Sequence, residues 1–324
     1  MKIKMVFRIF LAALFAAAGG AMAQAPSFPS QPVRIIVPYS AGGSADLMAR
    51  AIADGLGKMY KQPVLVENMP GAGGHIGAEF VVKAPADGHT LVLATISHNG
   101  AYMMYKRLRY DPAKDIQPVA LIAESFNVLM VRESLPVKSV GELIALARAQ
   151  PGKLTYASAG SGSATHMAAE LFKYMAKLDI LGIPFKGGAP AQVALLGGHV
   201  DVNFETGSTA AQAINSGKVR ALAITATARS AFFPDLPTVA DSGVPGYAAV
   251  PWYTVSTGKG VPADIVRKLN ADINSVLKTP ELLKRWEAMG LMPLGGTPED
   301  ALRRNQEETR RWEAVIEAAK IQVD

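Results

Sequence analysis

The sequence predicts an α/β protein of two parallel-type lobes with a hinge and a central cleft, and three observations carry that expectation. Short β-branched runs alternate with segments of helical period, the pattern of sheets flanked by helices. One kind of loop, rich in glycine and hydroxyls, occurs at a strand-to-helix junction in each half of the chain. The mostly helical tail is too small to be a domain of its own, so it is expected to return to the first unit.

In the first unit Val33–Val37 reads as a buried strand stopped by Pro38. A glycine loop leads into a helix whose Met48, Ile52, Leu56 and Met59 share one face. Residues 64–66 and 91–93 are the next strands. The second unit opens with a strand at 127–131, and Ser139 with Glu142 has the spacing of a capping box that starts a helix. A strand at 155–157, a helix at 164–175 and strands at 180–183, 200–204 and 219–225 follow. Residues 234–251 are rich in Pro and Gly and show no period. Beyond them, 252–256 reads as a strand, and Pro262 and Thr297-Pro298 mark two late helix starts. The expected lobes are residues 24–126 with 250–324, and residues 127–249. The chain then crosses twice between them, as in a hinged clamp.

The first 23 residues have the order of a secretory signal. Lys2, Lys4 and Arg8 form a basic start, residues 9–18 an apolar stretch, and Ala21-Met22-Ala23 a small-residue cleavage site. The apolar run is shorter than the ~20 residues a spanning helix needs. The expected address is the periplasm of a Gram-negative cell. Mass spectrometry of protein recovered from the periplasm should find Gln24 at the N-terminus; an intact Met1 in that fraction refutes the assignment.

Composition removes several classes. There is no cysteine, which excludes disulfides, thiolate metal sites and cysteine nucleophiles. The formal net charge is +6, from 33 Lys and Arg against 27 Asp and Glu. Three of the cations lie in the leader, leaving 30 against 27, a net of +3. The densest cations, Arg303-Arg304 and Arg310-Arg311, are interleaved with Glu307, Glu308 and Glu313. That is a solvated helix face, and it gives no footing for nucleic acid.

The chemistry is expected in the two junction loops. Tyr39-Ser40-Ala41-Gly42-Gly43-Ser44 precedes the first long helix, and Ala159-Gly160-Ser161-Gly162-Ser163 precedes its counterpart in the second unit. Free N–H groups at a helix start act as roughly half a positive charge, and glycines let an anion approach them. Either loop alone reads equally well as a tight turn with a serine cap; their duplication favours an anion clamp. Asp46, in the first helical turn, either orients its loop or accepts a donor from the ligand. His166 either donates to a bound carboxylate or fills a polar spot beside the cap. Phe185 and Gly187 belong to a third strand-to-helix loop, Glu205 follows the strand at 200–204 along the same edge, and Ser97 follows the strand at 91–93. These complete the expected ligand set.

Other chemistries fail on spacing. No G-x-x-x-x-G-K-[ST] run exists, and Gly71-Ala72-Gly73-Gly74 resembles a dinucleotide fingerprint except that Ile76 stands where the third glycine belongs. Ser161 lacks the G-x-S-x-G frame, since Ala159 and Ser163 flank it, and no H-E-x-x-H occurs. No catalytic residue, metal or cofactor is expected.

Several segments in order resemble the Bug family, the solute receptors of tripartite tricarboxylate transporters. They are residues 38–46, Asn68-Met69-Pro70-Gly71-Ala72-Gly73-Gly74 with Ile76-Gly77-Ala78, Asp87-Gly88-His89-Thr90-Leu91, Pro184-Phe185-Lys186-Gly187-Gly188-Ala189-Pro190-Ala191 and Pro234-Asp235-Leu236-Pro237-Thr238. The resemblance runs through essentially the whole mature chain. It implies a type II periplasmic-binding-protein fold, a small carboxylate (an organic acid or acidic amino acid) held by main-chain groups and waters of the two loops, and a membrane permease as partner of a monomeric receptor. Tyr39 and Ser40 stand where Phe and Ala or Pro are common, which changes polarity in the ligand loop. A rival function is a periplasmic ligand sensor feeding a two-component system, and adjacent permease or kinase genes discriminate the two.

Overall fold

A computed structural model describes residues 28–321; the leader and its cleavage site lie outside them. Strands β1 (Val33–Val37), β2 (Val64–Asn68), β3 (Thr90–Ala94) and β4 (Ile116–Glu124) come first, with helices α1 (Ser44–Tyr60) and α2 (His75–Val82) between them. Next come β5 (Asn127–Arg132), α3 (Val140–Ala149), β6 (Thr155–Ser158), α4 (Ala164–Ala176) and β7 (Leu181–Pro184). Then follow α5 (Gly188–Leu196), β8 (Val202–Thr206), α6 (Gly207–Asn215) and β9 (Val219–Ile224). The chain ends with β10 (Trp252–Gly258), α7 (Ala263–Leu277), α8 (Pro280–Glu287), β11 (Met292–Pro293) and α9 (Pro298–Ala319).

Two sheets result, ordered β11-β4-β10-β3-β1-β2 and β7-β6-β8-β5-β9. Within the first, β1 is parallel to β2 and β3, whereas β10 is antiparallel to β3 and β4. Within the second, β6 is parallel to β7 and β8, whereas β5 is antiparallel to β8 and β9. The two α/β lobes stand as expected, with parallel cores β2-β1-β3 and β7-β6-β8, and antiparallel strands make both sheets mixed. A crossover through a helix returns the chain in the same sense, giving parallel neighbours. The exceptions are strands through which the chain passes between sheets. β5 receives the chain from β4 across Ser125-Phe126, and β10 receives it from the second sheet, so β5 and β10 run against their neighbours, whereas β4 keeps the sense of β3. The two passages lie side by side, Ser125 N–H donating to Pro251 O at 2.9 Å.

β4 was not foreseen from the sequence, because Pro118 interrupts its apolar run and proline removes a ladder donor. Proline is tolerated there because β11 covers β4 only at Ala123 and Glu124, leaving the edge beside Pro118 without a strand. Asn270 of α7 donates to the neighbouring Val119 carbonyl at 2.8 Å, covering part of that edge.

The apolar stripe of α1 is buried at Met48, Ile52 and Leu56, but Met59 is 45% exposed in a groove beside Val276 and Leu282. At α3 the Ser139 hydroxyl accepts from Glu142 N–H (3.2 Å) as expected of a cap, yet the Glu142 carboxylate turns back to Lys138 N–H (2.6 Å), one residue upstream of a true box. A reciprocal box occurs instead at α9, between Thr297 and Asp300. Pro298 takes the first helical position there, whereas Pro262 sits one residue ahead of α7.

Candidate ligand-binding cleft

The first loop leaves β1 at Val37 and enters α1 at Ser44. Its shape is fixed from behind by Asp46. One carboxylate oxygen accepts Gly42 N–H (3.0 Å) and Arg50 Nε (3.0 Å); the other accepts Arg50 Nη2 (2.9 Å) and Asn68 Nδ2 (3.0 Å). Asn68 also donates to Tyr39 O at 3.0 Å, tying the end of β2 to the loop. Burial pushes the Asp46 carboxyl upward, but the Arg50 and Gly42 hydrogen bonds, Asn68 and the Arg50 charge outweigh it and hold it below its ordinary range. Of the two roles open to Asp46, the geometry displays the orienting one.

The second loop leaves β6 and enters α4, with Ser163 as cap: its hydroxyl accepts His166 N–H at 3.3 Å. Thr165 Oγ1 accepts Ala159 N–H (2.8 Å), and His166 Nδ1 accepts Gly162 N–H (3.1 Å). An accepting Nδ1 carries no proton, so the imidazole is neutral with its proton on Nε2. Burial lowers its pKa in the same direction. His166 thus braces its loop as Asp46 braces the first.

Between the loops lies a cavity of about 500 Å³, mouth included. Its wall contains Gly43, Ser44 and Ala45 from the start of α1, Ser163, Ala164 and Thr165 from the start of α4, Gly188 from α5, and Thr206 preceding α6. Four helix N-termini therefore converge on one space. The starts of α1, α5 and α6 have no side-chain cap, so those caps leave their first-turn N–H groups unanswered. Tyr39, Thr95, Trp252 and Tyr253 close the side formed by the first sheet. Among the described residues lining the cavity none is Lys, Arg or His, and Glu205 supplies the one carboxyl.

The cleft is shut. Ser40 donates from both its N–H and its hydroxyl to Lys186 O, each at 2.9 Å. Ser208 donates to Ser44 Oγ at 2.6 Å, and Tyr105 donates to Ser161 O at 2.6 Å. Two glycines permit this approach. A Cβ on Gly187 would stand 2.9 Å from Ser40 N, and one on Gly73 would overlap both the Tyr105 hydroxyl and the Ser161 carbonyl oxygen.

Of the residues expected from sequence, Tyr39, Gly43, Ser44, Ala159, Ser163 and Glu205 line the cavity. Ser40, Gly160, Ser161 and Gly187 lie at contacts across the cleft. Gly162 packs beside Met104 and Tyr105. Ser97 is fully buried one layer back, its hydroxyl 2.9 Å from the Tyr39 hydroxyl, which also meets Thr95 at 2.8 Å. Ala41 and Gly42 are exposed, and Phe185 packs against the core of the second sheet. Thr95, Thr206, Trp252, Tyr253 and the closing pair Gly73–Tyr105 were not anticipated. For Gly73 the Gly71–Gly74 run was the available signal.

Two mixed α/β sheets shutting on a small space define the class: two-lobed solute-binding receptors. Residues 48–321 match the family described as tripartite tricarboxylate transporter family receptor. The chain belongs to that family, and its resemblance to the Bug receptors holds. It is 36% identical over 307 residues to Protein BugT of Bordetella pertussis, covering 94% of each chain. Among solved structures it is similar to Rpa4515 of R. palustris with adipate (TM-score 0.88, 37% identity, 91% of this chain and 99% of that one). It is likewise similar to MatC (Rpa3494) from Rhodopseudomonas palustris with bound malate (TM-score 0.86, 35% identity, 89% and 100%).

Proposed function

We propose that this protein captures a small carboxylate in the periplasm and delivers it, unchanged, to the membrane permease subunits of a tripartite tricarboxylate transporter. The observation that carries the reading is the convergence of four helix N-termini on one cavity, among whose described lining residues none is cationic. Each N-terminus presents roughly half a positive charge and free N–H donors, a setting for a small anion. The adipate and malate in the two Rhodopseudomonas structures support a carboxylate as that anion. The ligand's carboxylate meets the first turns of α1 and α4, and the monomer closes over it as two bodies, residues 24–126 with 250–324 against residues 127–249. The paired passages at Ser125 and Pro251 serve as the hinge.

A thermal-shift screen of the mature protein against mono-, di- and tricarboxylates and amino acids tests this. A ligand at a hundred times its Kd should stabilise the fold by ~2.7 kcal/mol through mass action, and NAD and ATP should give no shift. Stabilisation by a nucleotide with none by any carboxylate defeats the assignment.

A further inference from the structure

Glu205 is out of place in an anion site. It is 2% exposed at the end of β8 and lies on the cavity wall, in a receptor for which the reading above makes the ligand an anion. Its side-chain hydrogen-bond partners are neutral: the Thr209 hydroxyl donates to Oε1 at 2.5 Å, and the Asn203 amide donates to Oε2 at 3.0 Å. Gly188, at the start of α5, lies close by: a Cβ there would stand 3.4 Å from Oε1. The Thr206 main chain adds a third hydrogen bond. Both oxygens are thus presented as acceptors, and a carboxylate offers about four lone-pair positions, three of which these donors use. With no cation among the described residues around the cavity, burial pushes the Glu205 carboxyl up to about 7. Above that pH the carboxyl is ionised, and a ligand that brought only carboxylate oxygens to this wall would set acceptor against acceptor at a buried group, which is costly.

We propose that Glu205 determines ligand class: it accepts a hydrogen bond from an amino or hydroxyl group near the ligand's carboxylate, so that the cleft prefers amino- or hydroxy-carboxylates to unsubstituted acids. This rests on the carboxylate reading and narrows it. The helix N-termini hold the carboxylate, as they would for any such acid; Glu205 reads what is attached beside it. A site built around a buried acceptor discriminates strongly against an analogue lacking the donor, because the acceptor is then left unanswered.

Matched sets of ligands isolate this contact. Calorimetry on the mature protein with succinate, malate and aspartate, and with glutarate, 2-hydroxyglutarate and glutamate, varies only the substituent at the second carbon within each set. At least one substituted acid should bind about ten-fold or more tightly than its unsubstituted parent. Which substituent wins identifies an ammonium or a hydroxyl as the donor. Glu205→Gln keeps the volume, removes the charge and half the accepting capacity, and should shrink that ratio to about three-fold or less by weakening the substituted acid alone. Unsubstituted acids binding as tightly as their substituted partners overturn the proposal while leaving the carboxylate reading intact. So does an unchanged ratio in Glu205→Gln. Failure of every carboxylate in the wider screen sinks both. The wild-type ratios decide the matter even if the variant folds poorly.

Discussion

Gly73→Ala should give a protein that folds like its parent but neither closes nor retains its ligand tightly. Gly73 adopts φ 61°, and alanine there costs about 1 kcal/mol of backbone strain. That sum is paid equally by the open and closed forms, so it does not bias closure. The added methyl does. In the closed form it overlaps the Tyr105 hydroxyl, which can swing aside, and the Ser161 carbonyl, which is main chain of the opposing loop and cannot. Opening the cleft relieves the clash. The ligand then meets one set of N–H donors instead of two, and a hydrogen bond to a charged group contributes about 1.5–3 kcal/mol. Loss of two such bonds weakens binding by ~3 kcal/mol or more, about 100-fold. Calorimetry and small-angle scattering with a ligand from the screen should show weak binding and no compaction, while the unliganded melting temperature falls by only a few degrees. Because a ligand shifts a conformational equilibrium only through differential affinity, these two losses should appear together. Parent-like affinity with normal compaction would mean that the Ser161 contact is not required for closure.

The same residue marks where sequence reading stops. The Gly71–Gly74 run was plainly visible, yet its chemistry could be argued only as a failed dinucleotide loop, because what explains Gly73 is a carbonyl far away in sequence on the other side of the cleft. The loops before α1 and α4 were legible for the opposite reason: strand, glycines, hydroxyl and helix start are local, and local patterns set them. Periodicity located β10 but carries no information on strand direction, so the antiparallel strands that make both sheets mixed went unseen. Trp252 and Tyr253 reach the cavity because β10 lies between β3 and β4, a matter of topology that no spacing reports. Pro118 concealed β4 because the usual objection to proline in a strand assumes a partner on both sides.

Asp46→Asn should lower the melting temperature at neutral pH, by an amount that disappears in acid. The carboxylate is 4% exposed and every hydrogen bond it receives is from a donor that asparagine would oppose on one side. Turned one way, the new amide faces Gly42 N–H and Arg50 Nε; turned the other, it faces Arg50 Nη2 and Asn68 Nδ2. Breaking a buried ion pair from one side costs about 3–5 kcal/mol. Arg50 is 45% exposed, and water screens and rehydrates it, so a loss of about 2 kcal/mol is the better expectation. For a chain of this size that amounts to about 5 °C. The pH dependence follows from the direction of the shift. The folded carboxyl lies below its unfolded value of about 3.9, so its contribution is complete above that pH and is lost as the pH falls through the lower, folded value. Parent and variant should therefore differ most from pH 7 down to about 5 and converge toward pH 2. Freed from Asp46, Gly42 N–H no longer holds the first loop in place, and carboxylate affinity should fall along with stability at pH 7. Melts across this range, with calorimetry at its upper end, measure both. A gap that stays constant down to pH 2 would show that the charge of Asp46 contributes nothing, and that packing alone sets the loop.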